Sequence, residues 1–269
     1  MSAPLTKPAV PSDIPKPVGQ TAKGALRTAS LEAVDRIAGI VPGIDSMRAH
    51  VCIAGYPRSG STMLYLMVHQ CVQSVRVFRK EMSAINVARS AKRQRAFTVT
   101  KRPLDTFWID EIRAYYANRR PDCRFVLLTR DPRSVLTSLH VKKSDYFVTI
   151  DRWKALRDHI EYASQADDAI TVDYRELVTE CDEVEKRLTN FIGWKISSPF
   201  SSFHQSDKTT LETRAMNGVR PLDPSTQQKW KAEKHRERIR QLLREINDLP
   251  EFLIAKGYEQ DDTWVREYN

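Results

Sequence analysis

The chain has 269 residues, 41% of them hydrophobic, and a formal net charge of +9. It has no run of about 18 apolar residues, so we expect no transmembrane helix, and its N-terminal segment lacks the apolar region of a secretory signal. The positive charge favours an anionic ligand, but it does not choose among nucleotides, phosphosulfates, acidic sugars, nucleic acids and membrane surfaces.

The first 25 residues are rich in Pro and Lys and are predicted to form a disordered arm, 1–25, before a single domain over 26–269. In that domain, apolar runs of strand type alternate with stretches of helical periodicity. The predicted strands are 50–55, 96–102, 123–130 and 169–174. The predicted helices are 26–41, 61–72, 104–120, 131–140, 151–165, 182–194 and 229–247. Such alternation predicts an α/β fold in which helices flank a parallel sheet.

The cysteines show neither a CxxC motif nor the spacing of a zinc site. They are Cys52, Cys71, Cys123 and Cys181. Three of them lie within apolar stretches, so we expect reduced, buried thiols in a cytoplasmic protein.

Polar residues stand at the ends of all four predicted strands. The stretch GYPRSGST, 55–62, follows the first strand, Lys101 ends the second, Arg130 ends the third and Tyr174 ends the fourth. The carboxyl ends of parallel strands meet at one edge of a sheet, and ligands bind there. We therefore expect these residues to converge on one site.

The stretch 55–62 has the glycine frame of a phosphate-binding loop. Four residues separate Gly55 from Gly60, and Ser61 and Thr62 follow. A glycine-rich turn into a helix presents backbone N–H groups to an anion, and the two hydroxyl groups add donors. The alternative is a plain strand-to-helix turn that needs glycines for its shape.

The loop lacks the lysine of the common nucleotide-binding loop, G-x-x-x-x-G-K-[ST]. Ser61 occupies the lysine position, and the cation inside the loop is Arg58. Asp173 is only a weak candidate for the magnesium ligand that a phosphotransferase needs. The residues therefore favour a ligand that transfers its group without magnesium, with Arg58 neutralising the leaving phosphate.

Two motifs resemble those of PAPS-dependent sulfotransferases of the P-loop type. YPRSGSTMLYL is similar to their 5′-phosphosulfate loop, which reads like YPKSGTTWL. LLTRDPRSVLTSLH resembles the 3′-phosphate motif, in which an Arg and a Ser eight residues apart, here Arg130 and Ser138, hold the 3′-phosphate. The resemblance implies that the 5′-phosphosulfate binds to Arg58, Ser59, Gly60, Ser61 and Thr62.

Two further segments resemble the family more weakly. ITVDYRELV, followed by a helix that ends in FIGW, is similar to the family segment KYEDM…FLG, which would place Tyr174 near the adenine. The alternative for Tyr174 is core packing. RAMNGVRPLDPSTQQKW resembles an Arg-rich loop of bacterial and carbohydrate-type members, so Arg214 or Arg220 would close over the 3′-phosphate. Solvated loop cations are the alternative there.

The chain departs from the family at the general base. Phenol and steroid sulfotransferases carry KTH after the second strand, and the His is their base, whereas this chain has Lys-Arg-Pro at 101–103. Some carbohydrate-type members share Lys-x-Pro and use a carboxylate. The candidates are Asp105 and Glu81, followed by His140, and each could instead be an ordinary surface, capping or loop residue.

The resemblance implies transfer of the sulfuryl group from PAPS, with no metal, to a hydroxyl group of a sugar, glycolipid or other aliphatic alcohol. Arg58 and Lys101 would stabilise the developing charge. The rival hypotheses are an ATP–magnesium phosphotransferase, a relative that binds PAP without turnover, and a basic module that binds nucleic acid or membrane through 229–247. We expect neither nucleic-acid binding nor membrane insertion, and the sequence leaves the acceptor and the oligomeric state open.

Overall fold

A computed structural model describes residues 5–38, 46–78, 81–90, 96–140, 145–205 and 221–268. The strands are β1 (Ala49–Gly55), β2 (Val75–Val77), β3 (Phe97–Lys101), β4 (Asp122–Thr129) and β5 (Ala169–Asp173). They form a parallel sheet in the order β2-β3-β1-β4-β5. The predicted α/β fold with a parallel sheet is therefore confirmed.

Helices cover both faces of this sheet. The α-helices are α1 (Ala22–Ala38), α2 (Ser61–Cys71), α3 (Ala84–Arg89), α4 (Ile109–Tyr116), α5 (Pro132–Leu136), α6 (Ile150–Ala163), α7 (Tyr174–Thr179), α8 (Cys181–Ile192), α9 (Arg236–Glu245) and α10 (Leu249–Ala255). The 3₁₀ helices are Pro103–Trp108, Phe200–Gln205, Pro224–Lys231, Glu233–His235 and Thr263–Glu267. No helix in the described ranges is both long and apolar enough to span a bilayer.

The four predicted strands are all present, and β2 is an additional, unpredicted strand. It has three half-buried residues at the edge of the sheet, too few to show a periodic pattern. The predicted helix 104–120 is instead a 3₁₀ helix that joins α4 at Trp108. The predicted helix 229–247 is interrupted at Ala232, whose backbone is extended with ψ 138°, so its α-helical part is α9 alone.

β1 lies at the centre of the sheet and is buried along its whole length. Val51 and Ile53 face a core formed with α2 and α8, while Cys52 and Ala54 face a second core formed with α4, α6, α9 and α10. Burial on both faces explains the continuous apolar run of this strand. The packing of β1 between the two cores also fixes the position of its carboxyl end, from which the loop 55–62 begins.

The N-terminal arm differs from its predicted disorder over the residues that the structure describes. Ile14 is only 4% exposed and belongs to the core that contains α4 and α6. Lys7 pairs with Asp110 of α4 at 3.0 Å, and Asp13 pairs with Arg152 of α6. One apolar anchor and complementary charges hold the arm against the domain, and its average composition does not reveal them.

Candidate functional site

The end of β1 and the loop that follows it contain three residues with positive φ. They are Gly55, Arg58 and Gly60, with φ of 111°, 66° and 87°. A Cβ atom at Gly55 would lie 2.1 Å from the carbonyl oxygen of Leu128, and one at Gly60 would lie 2.7 Å from the ring of Tyr174. Only glycine therefore fits at these two positions. The left-handed Arg58 is the kind of backbone outlier that occurs at binding sites.

This loop turns the free N–H groups at the start of α2 towards the carboxyl edge of the sheet. Gly60 is the N-cap and supplies no side chain to those N–H groups. The uncapped first turn of a helix carries N–H donors and a favourable potential for an anion. The loop 55–62 can thus cradle a phosphate-like group, as its glycine frame indicates.

Arg130 is held beside this cradle by two backbone oxygens and one aromatic ring. Its Nη1 donates to the carbonyl oxygen of Arg58 at 2.7 Å, and its Nη2 donates to that of Thr226 at 3.1 Å. Its guanidinium carbon lies 4.0 Å from the ring centroid of Tyr174. Burial lowers the pKa of Arg130. Its buried Nε–H has no partner among the described residues, so a donor remains for an anionic ligand.

Tyr174 is partly buried and contacts three parts of the site. Its ring supports Arg130 and limits the space at Gly60, and its hydroxyl group lies 2.9 Å from Oγ1 of Thr226. The side chain also lines the main cleft. Tyr174 therefore belongs to the wall of the site, and the alternative of core packing alone does not describe it.

Lys101 links the phosphate loop to a carboxylate. The Lys101 side chain is 8% exposed, and its Nζ lies 3.3 Å from Oγ1 of Thr62 and 3.2 Å from Oε1 of Glu81. The Glu81 side chain is 59% exposed and lines the cleft. This arrangement places a cation between the anion cradle and a carboxylate that a ligand can reach.

Asp105, the other predicted base, has a structural role instead. It is 2% exposed and does not line the cleft. Its Oδ2 accepts a hydrogen bond from the backbone N–H of Ala84 at 2.7 Å, and its Oδ1 lies 3.4 Å from Nη1 of Arg102. Burial raises the pKa of Asp105 to about 6. We correct the expectation accordingly, because Asp105 anchors the start of α3 and Glu81 is the carboxylate on the cleft.

The main cleft has a volume of about 660 Å³ and joins the loop 55–62 to Glu81, Arg130 and Tyr174. The predicted convergence of strand ends is therefore present. The cleft has a second set of lining residues that the sequence did not single out. They include Met63, Leu104, Phe147, Val148, Thr149 and Arg152.

The remaining candidates lie beside this cleft or outside the described residues. Ser138 lines an adjoining cavity of about 510 Å³ together with Arg130, and its hydroxyl group donates to the carbonyl oxygen of Ser134 at 2.9 Å. His140 is exposed, and its ring centroid lies 4.6 Å from that of Phe147. Arg214 and Arg220 both lie outside the residues that the structure describes.

The carboxylate of Asp173 is fully engaged in holding the fold. Its Oδ1 accepts from the backbone N–H of Arg175, and its Oδ2 accepts from the hydroxyl groups of Thr129 and Tyr258. It is also the N-cap of α7 in a capping box with Glu176. Within the described ranges, no group of three or more His, Cys, Asp or Glu residues is arranged to hold a metal ion.

The chain is similar to known sulfotransferases in sequence and in fold. A model of the sulfotransferase family matches residues 69–198. The sulfotransferase domain from the olefin synthase of Synechococcus PCC 7002 shares the fold with a TM-score of 0.51 and 15% identity, over 71% of this chain and 90% of that one. The resemblance to the sulfotransferase family is confirmed. The matched segment includes Arg130, Ser138 and Tyr174.

Two further sulfotransferase structures are similar to the chain. The sulfotransferase domain from the curacin biosynthetic pathway has a TM-score of 0.48 and 15% identity, over 73% of this chain and 98% of that one. Mouse sulfotransferase SULT7A1, solved with PAP, has a TM-score of 0.45 and 12% identity, over 81% of this chain and 88% of that one. No curated protein sequence matches the chain.

Proposed function

We propose that this protein transfers the sulfuryl group of PAPS to a hydroxyl group of an acceptor. The observation that carries the proposal is the meeting of three features on one cleft. They are the uncapped N-terminus of α2, the buried Nε–H of Arg130 that has no described partner, and the pair of Lys101 and Glu81. Two separate anion subsites fit a donor with phosphate groups at both its 3′ and 5′ positions.

Each part of the donor has matching residues in the proposal. The loop 58–62 binds the 5′-phosphosulfate through its backbone N–H groups and the hydroxyl group of Thr62. Arg130 binds the 3′-phosphate, and Ser138 in the adjoining cavity adds a hydroxyl group. Tyr174 contributes its aromatic face near the adenine. Arg214 and Arg220 remain candidates to close over the 3′-phosphate.

The chemistry follows from the positions of Glu81, Lys101 and Arg58. The acceptor oxygen attacks the sulfur atom, and the bond between sulfur and the bridging phosphate oxygen breaks in line with the attack. Glu81 accepts the hydroxyl proton, and the electron pair of the broken bond goes to the phosphate. Arg58 and Lys101 stabilise the negative charge on the leaving oxygen and the sulfuryl oxygens. The products are PAP and a sulfate ester, and the step needs no metal.

The acceptor in this proposal is a sugar, a glycolipid or another aliphatic alcohol. Leu104, Phe147 and Val148 supply apolar surface in the cleft beside the carboxylate of Glu81, which suits an aliphatic body with one reacting hydroxyl group. None of the four cysteines forms a disulfide, and free thiols fit the cytoplasm that we propose as the location.

Transfer from ³⁵S-labelled PAPS to a panel of sugars and aliphatic alcohols, in buffer that contains EDTA, tests this function. We expect labelled sulfate esters without added metal. An inert protein that fails to bind PAP, but transfers phosphate from ATP only with magnesium, would overturn the proposal in favour of a phosphotransferase. Binding of PAP without transfer to any alcohol would indicate a relative without turnover.

A further inference from the structure

The cleft contains a cation that the proposed reaction does not use. Arg152, in the first turn of α6, lines the cleft together with Phe147 and Val148. Its side chain is 28% exposed, and its guanidinium group pairs with the carboxylate of Asp13 in the N-terminal arm. Arg152 therefore lies at the wall of the cavity in which the proposed acceptor has to bind.

The other cations of α6 are engaged elsewhere. Lys154 donates to the backbone carbonyl of Glu245 at 2.7 Å, and Arg157 pairs with Asp248 at 2.7 Å. These contacts join α6 to α9 and to the start of α10. Arg152 differs because, among the residues that the structure describes, its guanidinium group pairs with the N-terminal arm and its side chain also lines the cleft.

Asp13 is brought to Arg152 by a neighbouring anchor. Ile14 is 4% exposed and packs into the core that contains α6, and its N–H donates to the carbonyl oxygen of Pro11 at 3.0 Å. Asp13 itself remains 65% exposed. An ion pair exposed to this degree contributes about 0–1 kcal/mol, so another carboxylate can replace Asp13 at little cost.

On the basis of the proposed function, we propose that Arg152 selects an acceptor alcohol that carries an anionic group. The hydroxyl group of such an acceptor lies at Glu81, its aliphatic body lies against Leu104, Phe147 and Val148, and its carboxylate binds Arg152. Asp13 occupies Arg152 in the free protein and is displaced when the acceptor binds. The acceptor class is therefore an aliphatic hydroxy acid rather than a neutral alcohol.

Two six-carbon acceptors, ω-hydroxyhexanoate with a terminal carboxylate and hexanol with a terminal methyl group, test this inference with PAPS as donor. We expect wild-type kcat/KM to favour the hydroxy acid by about 10-fold or more, the range of a hydrogen bond to a charged group. Arg152→Gln should remove this preference, so that its kcat/KM values for the two acceptors become equal. Arg157→Gln is the matched control, since it removes another α6 arginine and should retain the preference.

Asp13→Asn tests the displacement of Asp13, because this variant should improve the binding of the hydroxy acid, whereas Arg152→Gln should weaken it. It should lower the KM for ω-hydroxyhexanoate by up to about fivefold, the equivalent of an exposed ion pair, without affecting hexanol. Ile14→Ala, which releases the anchor beside Asp13, should act in the same direction. An increase in KM for the acid in Asp13→Asn would show that Asp13 holds Arg152 in place, and would overturn the displacement.

The outcomes separate this inference from the proposed function. Equal turnover of the two alcohols by wild type, or an unchanged preference in Arg152→Gln, would overturn the role of Arg152 while the sulfotransferase activity stands. Transfer to other alcohols of the panel, with none to ω-hydroxyhexanoate, would overturn the hydroxy-acid class. If wild type neither binds PAP nor transfers the sulfuryl group, the proposed function itself is contradicted.

Discussion

Glu81 and Lys101 are the residues to which the proposed mechanism assigns the most specific roles. Lys101 contacts both Thr62 of the loop and Glu81 of the cleft, so it joins the donor subsite to the proposed base. A general base must reach the proton that it removes, and it contributes about 10²–10⁴-fold to the rate. Glu81 lies on the cleft and meets this geometric requirement, whereas Asp105 is enclosed by Ala84 and Arg102.

Glu81→Gln should therefore lower kcat by about 100-fold or more, because the amide cannot accept the hydroxyl proton. The affinity for PAP should stay within about twofold of wild type, since Glu81 is assigned to the acceptor side. Initial rates with saturating PAPS and calorimetric titration with PAP measure the two effects. Glu251→Gln, an exposed change in α10, is the control. A kcat within a few-fold of wild type would show that another group is the base.

The placement of Arg130, Lys101 and Tyr174 at one edge of the sheet could be predicted because each ends an apolar run that forms a strand. The choice between Asp105 and Glu81 could not be predicted, since burial decides it and both are ordinary acids in the sequence. The position of Arg152 in the cleft could not be predicted either. Arg152 is 139 residues from Asp13 along the chain, and a contact over such a distance depends on tertiary packing.

At the scale of elements, the junction of β1 and α2 shapes the anion cradle. Gly60 has two separate constraints, a positive φ of 87° and the ring of Tyr174 that fills the place of a side chain. Gly193, which follows α8, has only the first constraint, with φ 79° and no atom of the described residues within 4 Å of an added Cβ. A comparison of substitutions at the two glycines therefore distinguishes the cost of a left-handed backbone from the cost of a collision with Tyr174.

Gly193→Ala should lower the free energy of unfolding by about 1–2 kcal/mol, the cost of a left-handed alanine. Gly60→Ala should lower it further, because the new Cβ also collides with Tyr174. Adding Tyr174→Ala should recover part of the loss at Gly60 and none at Gly193. Urea unfolding of the variants measures these differences. Equal effects at the two glycines would contradict the collision.

The junction of β1 and α2 could be predicted from the sequence, because the glycine frame and the strand pattern are both local. Features that depend on distant parts of the chain could not be predicted. Ala232 interrupts the predicted helix 229–247 with no Gly or Pro to mark the break, and Thr226, which holds Arg130 and Tyr174, lies in a segment without periodicity. Such segments take their conformation from what they pack against.

At the scale of the whole molecule, the buried carboxyl group of Asp105 couples stability to pH. Burial raises its pKa from 3.8 to about 6. The folded protein therefore binds the proton more tightly than the unfolded chain does. The stabilisation is complete below about pH 4 and is lost as the pH rises through about 6.

Asp105→Asn should remove this part of the pH dependence, because an amide does not titrate. Between about pH 3 and 7, the free energy of unfolding of wild type should fall relative to that of the variant by about 3 kcal/mol, the equivalent of about two pKa units. Chemical unfolding across this pH range measures the difference. Asp122→Asn, at a side chain that is 66% exposed, is the control. Parallel profiles for wild type and Asp105→Asn would contradict the account.

The central claim is that the edge formed by β1, β3, β4 and β5 binds PAPS, and calorimetric titration with PAP in EDTA tests it most directly. The comparison is of wild type with Arg130→Ala, with Arg240→Ala on α9 as the control. We predict micromolar binding to wild type and to the control without metal, weakened about 10-fold or more in Arg130→Ala, which loses charged hydrogen bonds. Absence of PAP binding to wild type, or equal affinity in Arg130→Ala, would contradict the claim.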